Sequence, residues 1–345
     1  MDRILVTGAN GFLGSNLVNK LVETGENVRA LDLKFDNPNL LHSGFERIKG
    51  NILDPNILEK AFQDISHVYH CAGVVSYDTY EMRNLMYQVN HRGTRKILRA
   101  SLKQGIEKLV HVSSTAALST QGVYCFRNND FIPDNENLTG KDTSRGMYTH
   151  ELPYGFSKYL GEEAVLESVQ EDHLNATIVS PSTIMGKGDY SHSSVGNIIA
   201  FLSKNPLPLT FPGHLSLVDV TDVVEGAILA MKKGAAGRKY ILSDHQVSIQ
   251  ELTNEINQNL GKNSFSLKLP FWTYYPLEYT LTLKDQFFGR ILKINRLYNT
   301  DLLFICYRSR LFDSARAKEE LGWKPTKSFE DMIHESVDFY QRFVS

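Results

Sequence analysis

Apolar residues in this chain come in short runs, some of them interrupted by a polar residue, and most runs are followed by a stretch in which they recur every three or four positions. Ile4-Leu5-Val6 is the first run, and residues Ser15 to Val22 after it have helical spacing. Val28 to Leu31, Phe45 to Ile48, His67 to Ala72, Lys108 to Val112 and Ala176 to Val179 are of the first kind. Asn56 to Phe62, Val89 to Gln104 and Tyr154 to Glu171 are of the second. Strand and helix signals in alternation predict an α/β fold, a doubly wound parallel sheet with ligands at the carboxyl ends of its strands. Two stretches fall outside the alternation. Residues 119–151 are polar and turn-rich, too long for a simple connector, and predict a loop near the site. Residues 265–312 are rich in aromatics. The predicted division puts 1–184 and 217–262 in the sheet domain, and 185–216 and 263–345 in a smaller, mostly helical substrate-binding lobe.

Composition narrows the class without naming it. The chain has 345 residues, 42% of them hydrophobic and 22% charged, enough for a large core in one or two globular domains. Lys+Arg 37 against Asp+Glu 39 leaves a formal charge of −2, which argues against a nucleic-acid footprint. Cys71, Cys125 and Cys306 are odd in number and widely spaced. They read as reduced thiols of a cytoplasmic protein, and no metal-ligand spacing stands out. The first strand begins at Ile4, so no leader is expected. No uncharged apolar run reaches the ~20 residues of a spanning helix.

Between the first strand and the first helix stands Thr7-Gly8-Ala9-Asn10-Gly11-Phe12-Leu13-Gly14. Gly8 suits a tight turn, Gly11 a backbone that approaches a pyrophosphate, and Gly14 close packing of the helix on the strand. The helix N-terminus adds free N–H groups and a partial positive charge. Asp32 ends the next strand, where an acid can hold ribose hydroxyls and repel a 2′-phosphate. This is the context a dinucleotide-binding, Rossmann-type unit requires, and it favours NAD over NADP. Lys34 lies close by and acts against that preference, so NADP stays open.

Tyr154 and Lys158 stand four residues apart, one turn apart on one helix face. A free tyrosine has a pKa of ~10, too high for efficient proton exchange at neutral pH. A neighbouring ammonium and a cationic oxidised nicotinamide favour the phenolate. A solvated surface pair is the alternative for such a spacing. Ser113-Ser114-Thr115 follows the fifth strand, so a serine there reaches a substrate oxygen at the sheet's carboxyl edge; the alternative is a cap for the next turn.

Taken in order, these motifs resemble those of the extended short-chain dehydrogenase/reductases, nearly end to end. The resemblance rests on Thr7 to Gly14, Asp32, His70-Cys71-Ala72-Gly73, Asn90 within Val89 to Thr94, Ser114, Tyr154 with Lys158, Ser180 to Gly186, and Leu321-Gly322-Trp323-Lys324-Pro325. It implies catalytic roles for Tyr154 (proton transfer), Lys158 (tuning), Ser114 (orienting the substrate oxygen) and Asn90, which kinks a helix, helps hold the lysine and supports a relay through water. It implies cofactor contacts from Thr7, Gly8, Asn10, Gly11, Phe12, Leu13 and Gly14 in the loop and from Asp32. Asn51 and Ile52, then Cys71, Ala72, Gly73 and Val112, and finally Tyr154, Lys158, Pro181 and Thr183, complete that set. Val75, Ser76, Thr115, Ser182 and Met185 are the implied substrate contacts. Asn51 departs from the aspartate common after the third strand, but its side-chain carbonyl still suits an adenine amino group.

Within that family the phrases Val74 to Tyr77, Pro181 to Gly186 and Leu217 to Val220 resemble the dihydroflavonol 4-reductase and 3β-hydroxysteroid dehydrogenase branch. Thr115-Ala116 replaces the Asp-Glu pair of the dehydratases, and Gly213 to Val220 lacks the arginine that grips a sugar nucleotide's diphosphate. Phe271, Tyr275, Tyr279, Leu283 and Phe287 recur every four residues, either as core or as an apolar wall for a large substrate. Lys284, Arg290, Lys293 and Arg296 border the stripe as a solvated rim or a peripheral membrane contact. The expected function is hydride transfer between nicotinamide and a hydrophobic secondary alcohol or ketone, in a homodimer built on the helices at 93–104 and 154–171. The alternatives are a sugar-nucleotide 4-epimerase that retains its NAD and a non-enzymatic cofactor sensor.

Overall fold

A computed structural model describes residues 3–40, 44–75, 79–118, 153–190, 196, 199, 209–262, 266–287, 303, 306–307 and 309–343. The expected loop at 119–151 with Cys125, the substrate residue Ser76, and Arg290, Lys293 and Arg296 lie outside the described residues.

The predicted alternation is present. β1 (Arg3–Thr7), α1 (Phe12–Glu23), β2 (Asn27–Asp32), β3 (Glu46–Lys49), α2 (Pro55–Phe62) and β4 (His67–His70) come first. After α3 (Thr79–Met86) and a π-helical turn (Tyr87–Gly93) come α4 (Thr94–Gln104), β5 (Lys108–Val112), α5 (Pro153–Glu171) and β6 (Ala176–Pro181). After the short β7 (Thr183–Met185) and β8 (Leu209–Thr210) follow β9 (His214–Asp219), α6 (Val220–Lys233) and β10 (Lys239–Leu242). The main sheet is seven-stranded and parallel throughout, in the order β10-β6-β5-β4-β1-β2-β3. With β10 set aside this is the doubly wound order, so the carboxyl ends of β1, β4 and β5 meet where the chain reverses direction across the sheet.

Sequence pattern alone missed β10. It has four residues and starts with a lysine, yet Lys239 is buried and its ammonium pairs with Glu162 of α5. The strand expected to run through His70-Cys71-Ala72 ends at His70. The helix expected from Val89 to Gln104 begins as the π-turn. Neighbours press closely on this turn: a Cβ on Gly93 would lie 2.7 Å from Ile52, and one on Gly161 would lie 2.6 Å from the Asn90 carbonyl.

Apolar side chains cover both sheet faces. One layer packs α1 and α6 on β1, β5 and β6, the other packs α2, α4 and α5. Trp323, on the C-terminal Leu-Gly-Trp motif, is fully buried in the first layer, and its indole N–H donates to the Asp222 carbonyl at 2.8 Å. Residues Ala317 to Trp323 therefore pack with the main sheet, although they sit in the 263–345 stretch.

Beside the sheet, β9 pairs with β7, β11 (His245–Ser248) and β12 (Ser309–Arg310), and α7 (Ile249–Asn259) and α9 (Phe329–Phe343) close a third cluster. α8 (Tyr274–Phe287) carries the aromatic stripe. Its inner side is Tyr274, Leu277 and Leu281, packed with Phe271, Tyr307 and Phe211. Tyr275 and Tyr279 are 67% and 66% exposed, and neighbouring Trp272 is 70% exposed. Tyr275 and Tyr279 thus lie outside the core of this region, which runs along the helix through Tyr274, Leu277 and Leu281. Among the described residues no helix is long and apolar enough to cross a membrane.

Candidate active site

The glycine loop closes on itself by backbone geometry. Gly8 has φ +70°, and a Cβ there would meet Ala72 N at 2.5 Å. A Cβ on Gly14 would lie 2.0 Å from the Gly8 carbonyl, so Gly14's close contact is with the loop's first turn rather than with the strand. At Gly11 a Cβ would meet only Gly8 O, at 3.2 Å, and the space beside it is open. α1 then starts with no side-chain cap and no acid in its first turn. An uncapped helix start above a glycine that leaves room is a cradle for an anion, and the donor set fits a dinucleotide's pyrophosphate.

Around the cradle the expected cofactor residues divide into two groups. Asp32, Asn10, Asn51, Phe12, Cys71, Ala72, Gly73 and Thr183 are exposed or half-buried. Asp32 accepts the Asn10 N–H at 2.9 Å and the Leu33 N–H at 2.7 Å. Burial raises its pKa, against the pull of those N–H groups. Lys34, the residue that acts against an NAD preference, is paired with Asp36 at 2.9 Å, with both side chains exposed. Asn51 Oδ1 accepts the Leu53 N–H at 2.9 Å and retains a second lone pair.

Thr7, Leu13, Ile52, Val112 and Pro181 are buried. Thr7 is fully so, and its hydroxyl is committed to His70 Nδ1 at 2.8 Å; its side chain serves the loop's entry and is not presented to a ligand. Leu13 and Val112 pack in the sheet's first apolar layer, and Ile52 packs in the second, against Gly93.

Lys158 is 5% exposed, and its ammonium donates to the Val112 carbonyl at 2.7 Å. A Cβ placed on Gly73 would lie 3.5 Å from Nζ, so the lysine head sits beside the segment that follows β4. Burial lowers its pKa to about 8, opposed by Glu162 one turn on and by Cys71. Burial also pushes the Cys71 thiol up to about 12, so no thiolate is available there. His111 beneath is held neutral by burial first and then by Lys158. Tyr154 stands half-buried in the first turn of α5, on the face it shares with Lys158.

Ser114 is half-buried and accepts the Ala116 N–H at 3.1 Å, capping the 3-10 turn Thr115–Ala117. Both readings of that serine are therefore compatible: accepting a bond leaves its own proton free to donate. Asn90 is 2% exposed. Its amide donates to the Val74 carbonyl and to Ser157 Oγ, both at 2.9 Å, and accepts the Val74 N–H at 2.8 Å. Its side chain clamps the 72–74 segment to α5, while the lysine is held by Val112 rather than by Asn90.

The expected substrate contacts are only partly gathered. Val75 is 57% exposed beside Gly73. Thr115 and Ser182 are buried, and Met185 is packed in the third core cluster. Met185 borders a cavity of ≈ 10 Å³ with Phe12, Asp189 and Tyr340, room for one water at most. Pattern reading missed Ser157, Glu162 and the clasp Asp36-Asn37-Pro38-Asn39, whose backbone and side chains bond Asn10 and Ser15. The run of Asx residues and the i+4 step from Lys158 to Glu162 were the available signals.

Residues 4–243 match the model of the NAD dependent epimerase/dehydratase family. The chain is 28% identical, over 99% of its length and 95% of the relative's, to the Synechocystis sp. protein named "Putative dihydroflavonol 4-reductase". It is 29% identical to sterol demethylase protein B of Methylococcus capsulatus, over 94% of both chains. The crystal structure of gox2253 superimposes with a TM-score of 0.81 at 29% identity, covering 100% of this chain and 99% of that one.

Proposed function

Because the chain belongs to the NAD dependent epimerase/dehydratase family, we propose that it is an NAD-dependent dehydrogenase or ketoreductase acting on a hydrophobic secondary alcohol or ketone. NAD, when bound, supplies the hydride acceptor or donor. The protein's own residues do the rest. The loop from Gly8 to Gly14 and the start of α1 hold the pyrophosphate, and Asp32 holds the adenosine ribose. Ser114 orients the substrate oxygen by donating its free proton. Tyr154 moves the proton at that oxygen, and Lys158 favours the phenolate.

The observation that carries the reading is the buried Lys158, fixed on Val112 O one turn from Tyr154 and beside Gly73. A solvated surface pair would leave that ammonium in water. The hydrophobic substrate class draws support from the two relatives, whose names refer to a flavonoid and a sterol. It draws further support from β9, which carries no arginine to grip a diphosphate. The exposed tyrosines of α8 lend it none. The homodimer is proposed on α4 and α5, which lie side by side and are linked by Arg95 and Glu167 at 2.5 Å.

The test is nicotinamide absorbance against steroid, flavonoid, acyl and terpenoid alcohols and ketones. Release of free NADH that depends on Tyr154 supports the reading. Silence across the panel, with NAD firmly bound and UDP-sugars converted, replaces it with an epimerase.

Cofactor choice gives a separate expectation. Asp32→Asn removes the charge that repels a 2′-phosphate and keeps an acceptor for a backbone N–H. The NAD-over-NADP preference should fall by about tenfold or more, read as dissociation constants of the two cofactors. An unchanged ratio assigns the selectivity elsewhere.

A further inference from the structure

His70 lies at the end of β4 and is 1% exposed. Its Nδ1 is 2.8 Å from Thr7 Oγ1, and its Nε2 is 3.1 Å from Thr94 Oγ1. The protons of this chain can be assigned from its ends. A carbonyl only accepts, so Thr94 gives its hydroxyl proton to the Asn90 carbonyl, at 2.7 Å. Thr94 Oγ1 must then accept from His70, which puts a proton on Nε2. In the neutral ring Nδ1 is bare and accepts from Thr7, whose oxygen in turn accepts the Ala72 N–H at 3.3 Å. Burial, with Lys158 adding to it, lowers the imidazole pKa to about 3, so the ring is neutral.

The chain continues beyond Asn90 without a missing or surplus proton. Asn90 uses both amide hydrogens, on the Val74 carbonyl and Ser157 Oγ, and Ser157 donates its own to the Tyr154 carbonyl at 2.7 Å. One directed path thus links the entry of the phosphate loop to the first turn of α5. We propose that His70, fixed as the Nε2–H tautomer, is a positioning residue that ties Thr7 and the 72–74 segment to the π-turn and so sets the glycine loop against Tyr154 and Lys158. Only the kinetic part of its test rests on the functional reading above.

The tautomer is read by ¹⁵N NMR of histidine-labelled protein, with His70 assigned by its loss in His70→Gln. A bare Nδ1 and a protonated Nε2 are expected between about pH 5 and 9. An Nδ1–H tautomer, or titration within that window, overturns the assignment. His70→Leu keeps the bulk and removes both bonds, whereas the glutamine amide keeps one acceptor and one donor.

With whichever alcohol or sugar nucleotide turns over, the leucine variant should lose about 10- to 100-fold in kcat. Its KM for NAD should stay within about threefold of native, since the anion cradle is backbone. Glutamine should recover most of the loss. Equal losses in both variants, or native turnover in leucine, reject the positioning role. If the leucine variant does not fold, the NMR result and the glutamine variant's kcat and KM still decide.

Discussion

Tyr154→Phe lowers turnover by about a thousandfold or more, while the dissociation constant of NAD stays within about threefold of native. The substitution removes one oxygen. The ring still fills the half-buried start of α5, and the backbone carbonyl of residue 154 still accepts from Ser157. Lys158 remains on Val112 O, and the phosphate cradle, made of Gly8, Gly11, Gly14 and the helix start, does not involve the phenol. A loss confined to kcat therefore traces to proton transfer. Titration with NAD, followed by single-turnover absorbance of the reduced nicotinamide, separates the two quantities. Turnover like native would remove Tyr154 from the chemistry and leave Ser114 or a bound water to move the proton.

The parts that sequence displayed well are those in which local chemistry and fold demand the same residue. Gly8 and Gly14 are readable because a Cβ at either position would collide with backbone. Tyr154 and Lys158 are readable because helical spacing alone brings them to one face. What stayed hidden depends on partners distant in the chain. Lys239 reads as a surface residue until Glu162, 77 positions earlier, is found to neutralise it inside the sheet edge. Thr7 reads as a loop residue facing a ligand, yet its hydroxyl belongs to His70, 63 positions on. The aromatic stripe of α8 stayed open for a related reason. Spacing identifies a face and does not say which way the face turns, and the tyrosines at 275 and 279 turn outward while Tyr274 packs on Tyr307.

Lys158→Met should abolish turnover and weaken NAD binding, and it should also change how stability depends on pH. The native ammonium is buried, and its pKa is about 8 in the folded protein against an ordinary 10.5. Between those values the unfolded chain binds more protons than the folded one, so native stability rises with pH across that window. The slope from this one group is about 1.4 kcal/mol per pH unit, and the whole shift amounts to roughly 3 kcal/mol. Below about pH 8 the full penalty is present. The methionine variant carries none of it, although it leaves the Val112 carbonyl without its donor, an offset of about 1–3 kcal/mol that does not vary with pH. Urea midpoints of the two proteins should therefore converge, or cross in favour of the native chain, as pH rises from about 8 towards 10. Parallel midpoints across that range would mean that Lys158 is not a strained buried cation in the free protein. Convergence would mean that the fold tolerates a destabilising charge at the position where the proposed chemistry needs one, as a stability–activity trade-off at an active site predicts.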